Sequence, residues 1–166
     1  MRRGERIVTS LSDAAAPDRG DLGEILDNAM QHTEDVLTFT RGTSIRYTRQ
    51  VEAGVTLPGS PAAWERVFVN LFLNAAQANP LGAEVEIGAA RVDGVVRLTV
   101  TDNGPGIPAA ILPQIFDPTV TTKKSRRRGG LGLHIVQTIV TEHGGTVRAE
   151  NHEPSGAVFT VTLPQS

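Results

Sequence analysis

The 166-residue sequence contains no cysteine. This excludes disulfides, thiol nucleophiles and cysteine-based zinc sites. Aromatic residues make up only 4%, so leucine, valine, isoleucine and alanine have to fill the core. No apolar run approaches the roughly 20 residues of a membrane-spanning helix. Neither charge dominates: 16 lysines and arginines against 18 aspartates and glutamates leave a net charge of −2. That balance argues against a general nucleic-acid binder, which would be strongly basic. His32, His134, His143 and His152 show no metal-ligand spacing. The opening "MRRGERIVTSLSDAAAP" starts basic but lacks the apolar centre of a signal peptide. The expectation is a cytoplasmic chain without nucleic-acid or membrane contact, the size of one domain with a short appendage, or the soluble part of something longer.

What is present is a 39% hydrophobic content arranged with clear periodicity. Ile7, Val8, Leu11, Ala14 and Ala15 have helical spacing that Pro17 ends, and "PDRGD" reads as a linker. Asp21 is placed to cap a helix carrying Leu22, Ile25, Leu26, Ala29 and Met30 to about Leu37. "SIRYTRQVEA" predicts a half-exposed strand. Ser60 and Pro61 open a helix that is apolar nearly all round from Ala62 to Ala78 and is stopped by Pro80. "AEVEIGAARV" and "VVRLTVTD" alternate on either side of Asp93-Gly94, a strong hairpin signal. "GLGLHIVQTIVTEHGG" is an amphipathic helix ending at Gly144, and "GTVRAEN" with "GAVFTVTLP" predicts a second hairpin. Hairpins alternating with helices predict an α/β two-layer sandwich, a mixed and largely antiparallel sheet covered on one face by helices. The loop from about Gly104 to Gly130 is longer than connections in compact domains usually are, as lids and binding loops can be. Its Ile107, Ile111, Leu112, Ile115 and Phe116 predict a short helix that anchors the first half, with Phe116 as the plug.

Three clusters of residues suggest chemistry. Asn70, Asn74 and Gln77 share a face of the buried helix. They are either core amides paired to backbone carbonyls, or a polar stripe facing a cavity where an amide oxygen could ligate Mg²⁺. Asp102 ends a strand and runs into "DNGPGI", where Gly104 and Gly106 let a flat ligand approach the backbone and the carboxylate can accept from an exocyclic amine; a tight turn capped by Asp102 and Asn103 is the alternative. Gly129, Gly130 and Gly132 lead into a helix whose first N–H groups favour phosphate, unless they only loosen its start. The basic run from Lys123 to Arg128 reads mostly as solvated charge, with Lys123 set apart by its place between two phosphate-facing segments.

In this order the segments resemble the ATP-binding catalytic domain of sensor histidine kinases, within the superfamily of gyrase, mismatch-repair and heat-shock chaperone ATPases. "RVFVNLFLNAAQANP" resembles its N box and "DNGPGIP" its first glycine box. "IFDPTVTTK" resembles its phenylalanine box in the nitrogen-regulation-type form, "GGLGLHIVQTIVTEHGGTV" its second glycine box, and "GAVFTVTLP" its closing strand. The resemblance covers residues 21 to 164 and implies a Bergerat-type fold with an ATP lid over 104 to 130. It implies ATP and Mg²⁺ as cofactors. Asp102 would hold adenine, Asn74 would ligate Mg²⁺, and Asn70 and Gln77 would approach the phosphates. Lys123 would meet the terminal phosphate, while Gly130, Gly132 and Leu133 would line the triphosphate. Gly104, Gly106, Ile107, Phe116 and Thr122 complete the implied nucleotide site, with Asn70 and Lys123 as its catalytic members.

Two departures accompany the resemblance. Asn70 stands where the ATPases of the superfamily place a glutamate base, which favours transfer to a protein acceptor over hydrolysis. Ala157 stands where many members have a threonine, removing one adenine-side polar contact. None of the histidines has the setting of a phosphoacceptor; His32 is followed by Thr33. "GERIVTSLSDAAAP" resembles the end of a dimerisation helix. The expected organisation is therefore residues 1–20 as a remnant of that helix with a linker, and 21–166 as the catalytic domain. The implied partners are the helical phosphoacceptor domain and a downstream response regulator. An ATPase of the same superfamily, or a nucleotide-gated interaction module without chemistry, are the alternatives.

Overall fold

The computed structural model describes residues 19–118 and 130–164. Strand β1 (Arg19–Asp21) leads into helix α1 (Leu22–Thr40), followed by β2 (Ile45–Val51), β3 (Thr56–Pro58) and helix α2 (Pro61–Ala78). Strands β4 (Ala83–Val92) and β5 (Val95–Asp102), helix α3 (Gly130–Glu142), and strands β6 (Thr146–Asn151) and β7 (Ala157–Pro164) complete the described elements. The main sheet has five strands in the order β2-β4-β5-β7-β6. Only β2 and β4 run parallel; the other neighbours are antiparallel. This is the two-layer sandwich that the periodicity predicts.

Alternation sets the inner face of the sheet. Val85, Ile87 and Ala89 of β4, Val96, Leu98 and Val100 of β5, and Phe159, Val161 and Leu163 of β7 are all buried. Their chain neighbours point to the other face, as a side-chain period of two requires. The helices supply the opposing layer. On α2, Trp64, Val67, Phe68, Leu71, Phe72, Ala75 and Ala76 form one continuous buried stripe. Of its other apolar positions, Ala63, Val69, Leu73 and Ala78 are only half-buried and Ala62 is exposed, so the helix is less enclosed than its composition predicts. It packs between α1 and α3 and against the sheet.

Local signals account for most boundaries. The Asp21 carboxylate accepts from the Glu24 N–H at 3.0 Å and caps α1. Asp93 and Gly94 both have positive φ, 50° and 80°, as a tight two-residue hairpin turn demands. Ser60 occupies the N-cap position of α2, but its side chain makes no capping bond; Pro61 starts the helix instead. Helix α1 runs three residues past Leu37, to Thr40, since nothing breaks it before Arg41 closes it in the left-handed conformation. The segment read as a linker pairs at Arg19–Asp21 with Thr56–Pro58. Strands of three residues are too short to show a period.

Trp64 ties the layers together. It is fully buried, donates from Nε1 to the Pro58 carbonyl at 2.7 Å, and lies 5.1 Å from the His143 ring beyond the end of α3. Trp64→Phe keeps most of the apolar volume and leaves that carbonyl unpaired. It should therefore lower unfolding free energy by about 1–3 kcal/mol in urea denaturation, whereas Trp64→Ala should cost about 3–5 kcal/mol.

Candidate functional site

The inward register of β5 reads Val96, Leu98, Val100 and then Asp102. Asp102 thus continues an apolar row and projects into the space between sheet and helices. With Thr33 it is one of two buried polar or charged residues among the described residues, and is 7% exposed. Its Oδ1 accepts from the Gly104 N–H at 2.8 Å and from the Ala157 N–H at 3.3 Å. Burial pushes its carboxyl above the ordinary aspartate value, opposed by those two backbone donors and by the charge of His152.

Asp102 lies in the wall of a cavity of about 220 Å³, together with Asn74, Gln77, Gly106, Ile107, Ile111, Ile115 and Ala157. This is below the roughly 300–1,000 Å³ of a pocket that encloses a whole small molecule. It suits a flat apolar ring with one polar edge, the rest of the ligand lying outside. A larger cavity, of about 580 Å³, opens between the C-terminal ends of α1 and α2, but no carboxylate lines it. The two cavities meet at Gln77.

The expected site residues separate by role. Asn74 and Gln77 reach the cavity from α2, Asn74 half-buried and Gln77 exposed. Asn70 does not reach it. It lies one turn nearer the start of α2, with its Oδ1 3.2 Å from where a Cβ on Gly132 would sit. Gly132 lies in the first turn of α3, which begins at Gly130. The amide stripe therefore runs from the cavity to the N-terminal end of α3. No hydrogen bond to a backbone carbonyl holds Asn70 or Asn74 among the described residues, so neither is a paired core amide.

Other expectations change in detail. Gly104 is not in the cavity wall; a Cβ there would meet Ala78, Asn79 and the Asp102 carboxylate, each at 3.0 Å, so it is glycine to let the turn pack. Gly106, with φ +89°, is in the wall. The Leu133 side chain is core, 6% exposed, and only its backbone is left to face a ligand. Phe116 packs edge-on against Phe159, ring centroids 6.2 Å apart, rather than entering the cavity. That is the anchoring role expected of it, and the short helix before it is a single 3₁₀ turn, Leu112–Gln114. Thr122 and Lys123 lie outside the described residues. Ala157 does lack a polar side chain, yet its N–H bonds the Asp102 carboxylate and its methyl lines the cavity.

The sequence conveys nothing of a contribution from the β6–β7 turn. Gly156, φ +105°, passes so close to β5 that a Cβ would sit 2.0 Å from the Asp102 carbonyl oxygen. Its position between two alternating runs is the one available hint.

Residues 59–166 match the family described as histidine kinase-, DNA gyrase B- and HSP90-like ATPases. The sensor histidine kinase ZraS of Escherichia coli K12 is 34% identical over 98% of this chain and 35% of its own length. The chain thus spans about a third of the curated relatives it matches. The mycobacterial sensor histidine kinase MprB superposes with a TM-score of 0.73 at 29% identity, covering 88% of this chain and 95% of that one. Histidine kinase ThkA, solved in complex with the response regulator TrrA, gives 0.71 at 26% identity, covering 89% and 41%.

Because the native carboxyl of Asp102 holds its proton to higher pH than an unfolded aspartate, ionising it costs stability as pH rises through that interval. Asp102→Asn keeps an oxygen for both N–H donors and removes the charge. The ligand-free variant should melt at or above the wild-type temperature at pH 7, and the difference should shrink on acidification towards the ordinary aspartate range, as followed by calorimetry.

Proposed function

The chain belongs to the histidine kinase-, DNA gyrase B- and HSP90-like ATPase family, and from that membership we propose that it is the catalytic domain of a sensor histidine kinase, binding Mg·ATP and passing the γ-phosphate to a histidine of a separate helical dimerisation domain. In this reading residues 1–20 are the end of that helical domain with its linker, 21–166 form the catalytic domain, and a response regulator acts downstream. The domain works in the cytoplasm; among the described residues no helix is long and apolar enough to cross a membrane.

The observation that carries the proposal is the pairing of a buried carboxylate at one end of the amide stripe with a carboxamide at the other. Asp102 accepts a hydrogen bond from the adenine amine, a bond that the ionised carboxylate makes stronger. Gly106, Ile107 and Ala157 supply apolar wall for the ring. Asn70 stands against the first turn of α3. A carboxamide cannot take a proton from water, so that position offers no base for hydrolysis. The N–H groups at the start of α3 are without helical partners and lie at the positive end of its dipole, a setting that favours phosphate. Lys123 is assigned to the terminal phosphate, and Thr122 to the nucleotide site.

The residues fit a magnesium ion. Asn74 has a half-buried carboxamide at the cavity edge, and no cluster of three or more acidic, histidine or cysteine side chains occurs among the described residues. Mg²⁺ takes oxygen ligands and leaves much of its shell to phosphates and water, so one carboxamide oxygen can be the protein's share. When bound, the ion would offset phosphate charge during transfer. The protein's share is then positioning: Asp102 sets the base, Asn74 and Asn70 the path of the phosphates, and the end of α3 their destination.

Incubating this chain with a separately produced acceptor-helix domain and γ-labelled ATP should place label on a histidine of that domain. Release of free phosphate instead would mark an ATPase, and neither outcome a nucleotide-gated module. Asn74→Ala should weaken Mg²⁺-dependent ATP binding while leaving the melting temperature nearly unchanged; a variant that fails to fold would return Asn74 to the core.

Nucleotide choice gives an independent check on Asp102. Guanine presents an oxygen where adenine presents an amine, so ATP should bind more tightly than GTP. Losing a charged acceptor costs about 1.5–3 kcal/mol. Asp102→Asn should therefore weaken ATP binding about tenfold or more in calorimetric titration, and equal ATP and GTP affinity in the wild type would refute the assignment.

A further inference from the structure

The segment that leaves Asp102 crosses the turn end of the β6–β7 hairpin, and one side chain of the hairpin holds it there. Asn151, the last residue of β6, bonds both backbone groups of Ile107. Its Oδ1 accepts from the Ile107 N–H at 2.6 Å, and its Nδ2 donates to the Ile107 carbonyl at 3.0 Å. A carboxamide that serves the donor and the acceptor of one residue stands in for a neighbouring strand. The close approach depends on the glycine before it. A Cβ on Gly106 would sit 2.8 Å from Asn151 Oδ1 and 3.3 Å from the Gly156 carbonyl.

The same hairpin grips the other end of the turn. Gly156 packs on the Asp102 carbonyl, and the Ala157 N–H bonds the Asp102 carboxylate. The wall residues Gly106 and Ile107 are thus pinned at a fixed offset from Asp102, across the same cavity. Asn151 itself is not in that wall. Its hydrogen bonds are solvent-exposed and the residue itself is exposed, so overall stability gives little reason for so specific a contact.

We propose that Asn151 is a positioning residue for nucleotide binding. It holds Gly106 and Ile107 in place before the ligand arrives, so that binding spends little free energy on ordering the wall that faces Asp102. This rests on the reading of the cavity as the adenine slot.

The test compares wild type, Asn151→Ala and Asn151→Asp by ADP titration calorimetry, amide hydrogen exchange and ligand-free melting. Asn151→Asp retains the acceptor for the Ile107 N–H but loses the donor and sets a carboxylate against the Ile107 carbonyl. Asn151→Ala should bind ADP about three- to tenfold more weakly, with faster exchange at the Ile107 amide and a melting temperature close to wild type. Asn151→Asp should lose affinity too, with smaller acceleration at Ile107. If both variants fold and bind ADP as the wild type does, the proposal is overturned while the adenine slot stands. Variants that lose melting temperature in proportion to affinity, or that do not fold at all, make Asn151 a structural tie and also overturn it. A wild-type protein that binds no ADP removes the adenine slot, and this proposal with it.

Discussion

A carboxylate occupies a position in this sandwich where packing alone would put a valine. Asp102 continues the inward register of β5 one step past Val100, at the point where the helical layer no longer covers the sheet. Burying a carboxyl group there is costly unless it is hydrogen-bonded. The surrounding backbone meets that requirement. The turn after β5 folds back so that the Gly104 N–H reaches Oδ1, and the β6–β7 hairpin brings up the Ala157 N–H to the same atom. Both donors come from segments that glycine allows to approach closely, Gly104 beside Ala78 and Gly156 beside the Asp102 carbonyl. The shape of the cavity mouth follows from satisfying one buried oxygen.

Helix α2 carries the second constraint, since it serves the core and the site with different faces. Its apolar stripe from Trp64 to Ala76 locks it between α1, α3 and the sheet. Asn70, Asn74 and Gln77 are placed along one edge of the helix by that lock. Because the rise is 1.5 Å per residue, residues four and three apart follow one another along the helix edge. The stripe accordingly spans from the cavity beside Asp102 to the first turn of α3.

Much of this was legible in the sequence because the signals are local. Period-two runs predicted β4, β5 and β7, the Asp93-Gly94 pair predicted the hairpin between the first two, and Asp21 marked the start of α1. The candidate site residues Asn74, Gln77, Asp102, Gly106 and Ile107 were named from motifs whose order along the chain resembles an ATP-binding domain, and the structure brings these residues to one cavity. The short strands β1 and β3 were not legible, because three residues carry no period.

What the sequence by itself determined is which residues form elements, which face of each is apolar, and which polar residues break those patterns. The tertiary structure alone decided three further things. Gly104 packs against α2 and does not line the cavity, the Phe116 ring lies on Phe159 and outside the slot, and the Ala157 backbone takes on a polar contact that its side chain lacks. It alone also revealed Asn151 on Ile107, 44 residues apart in the chain. The physical reason is the same in each case. A side chain's identity limits what it can bond, but its partner is selected by the strand pairing that brings β5, β7 and β6 side by side, and that pairing is a long-range result with no counterpart in any local window.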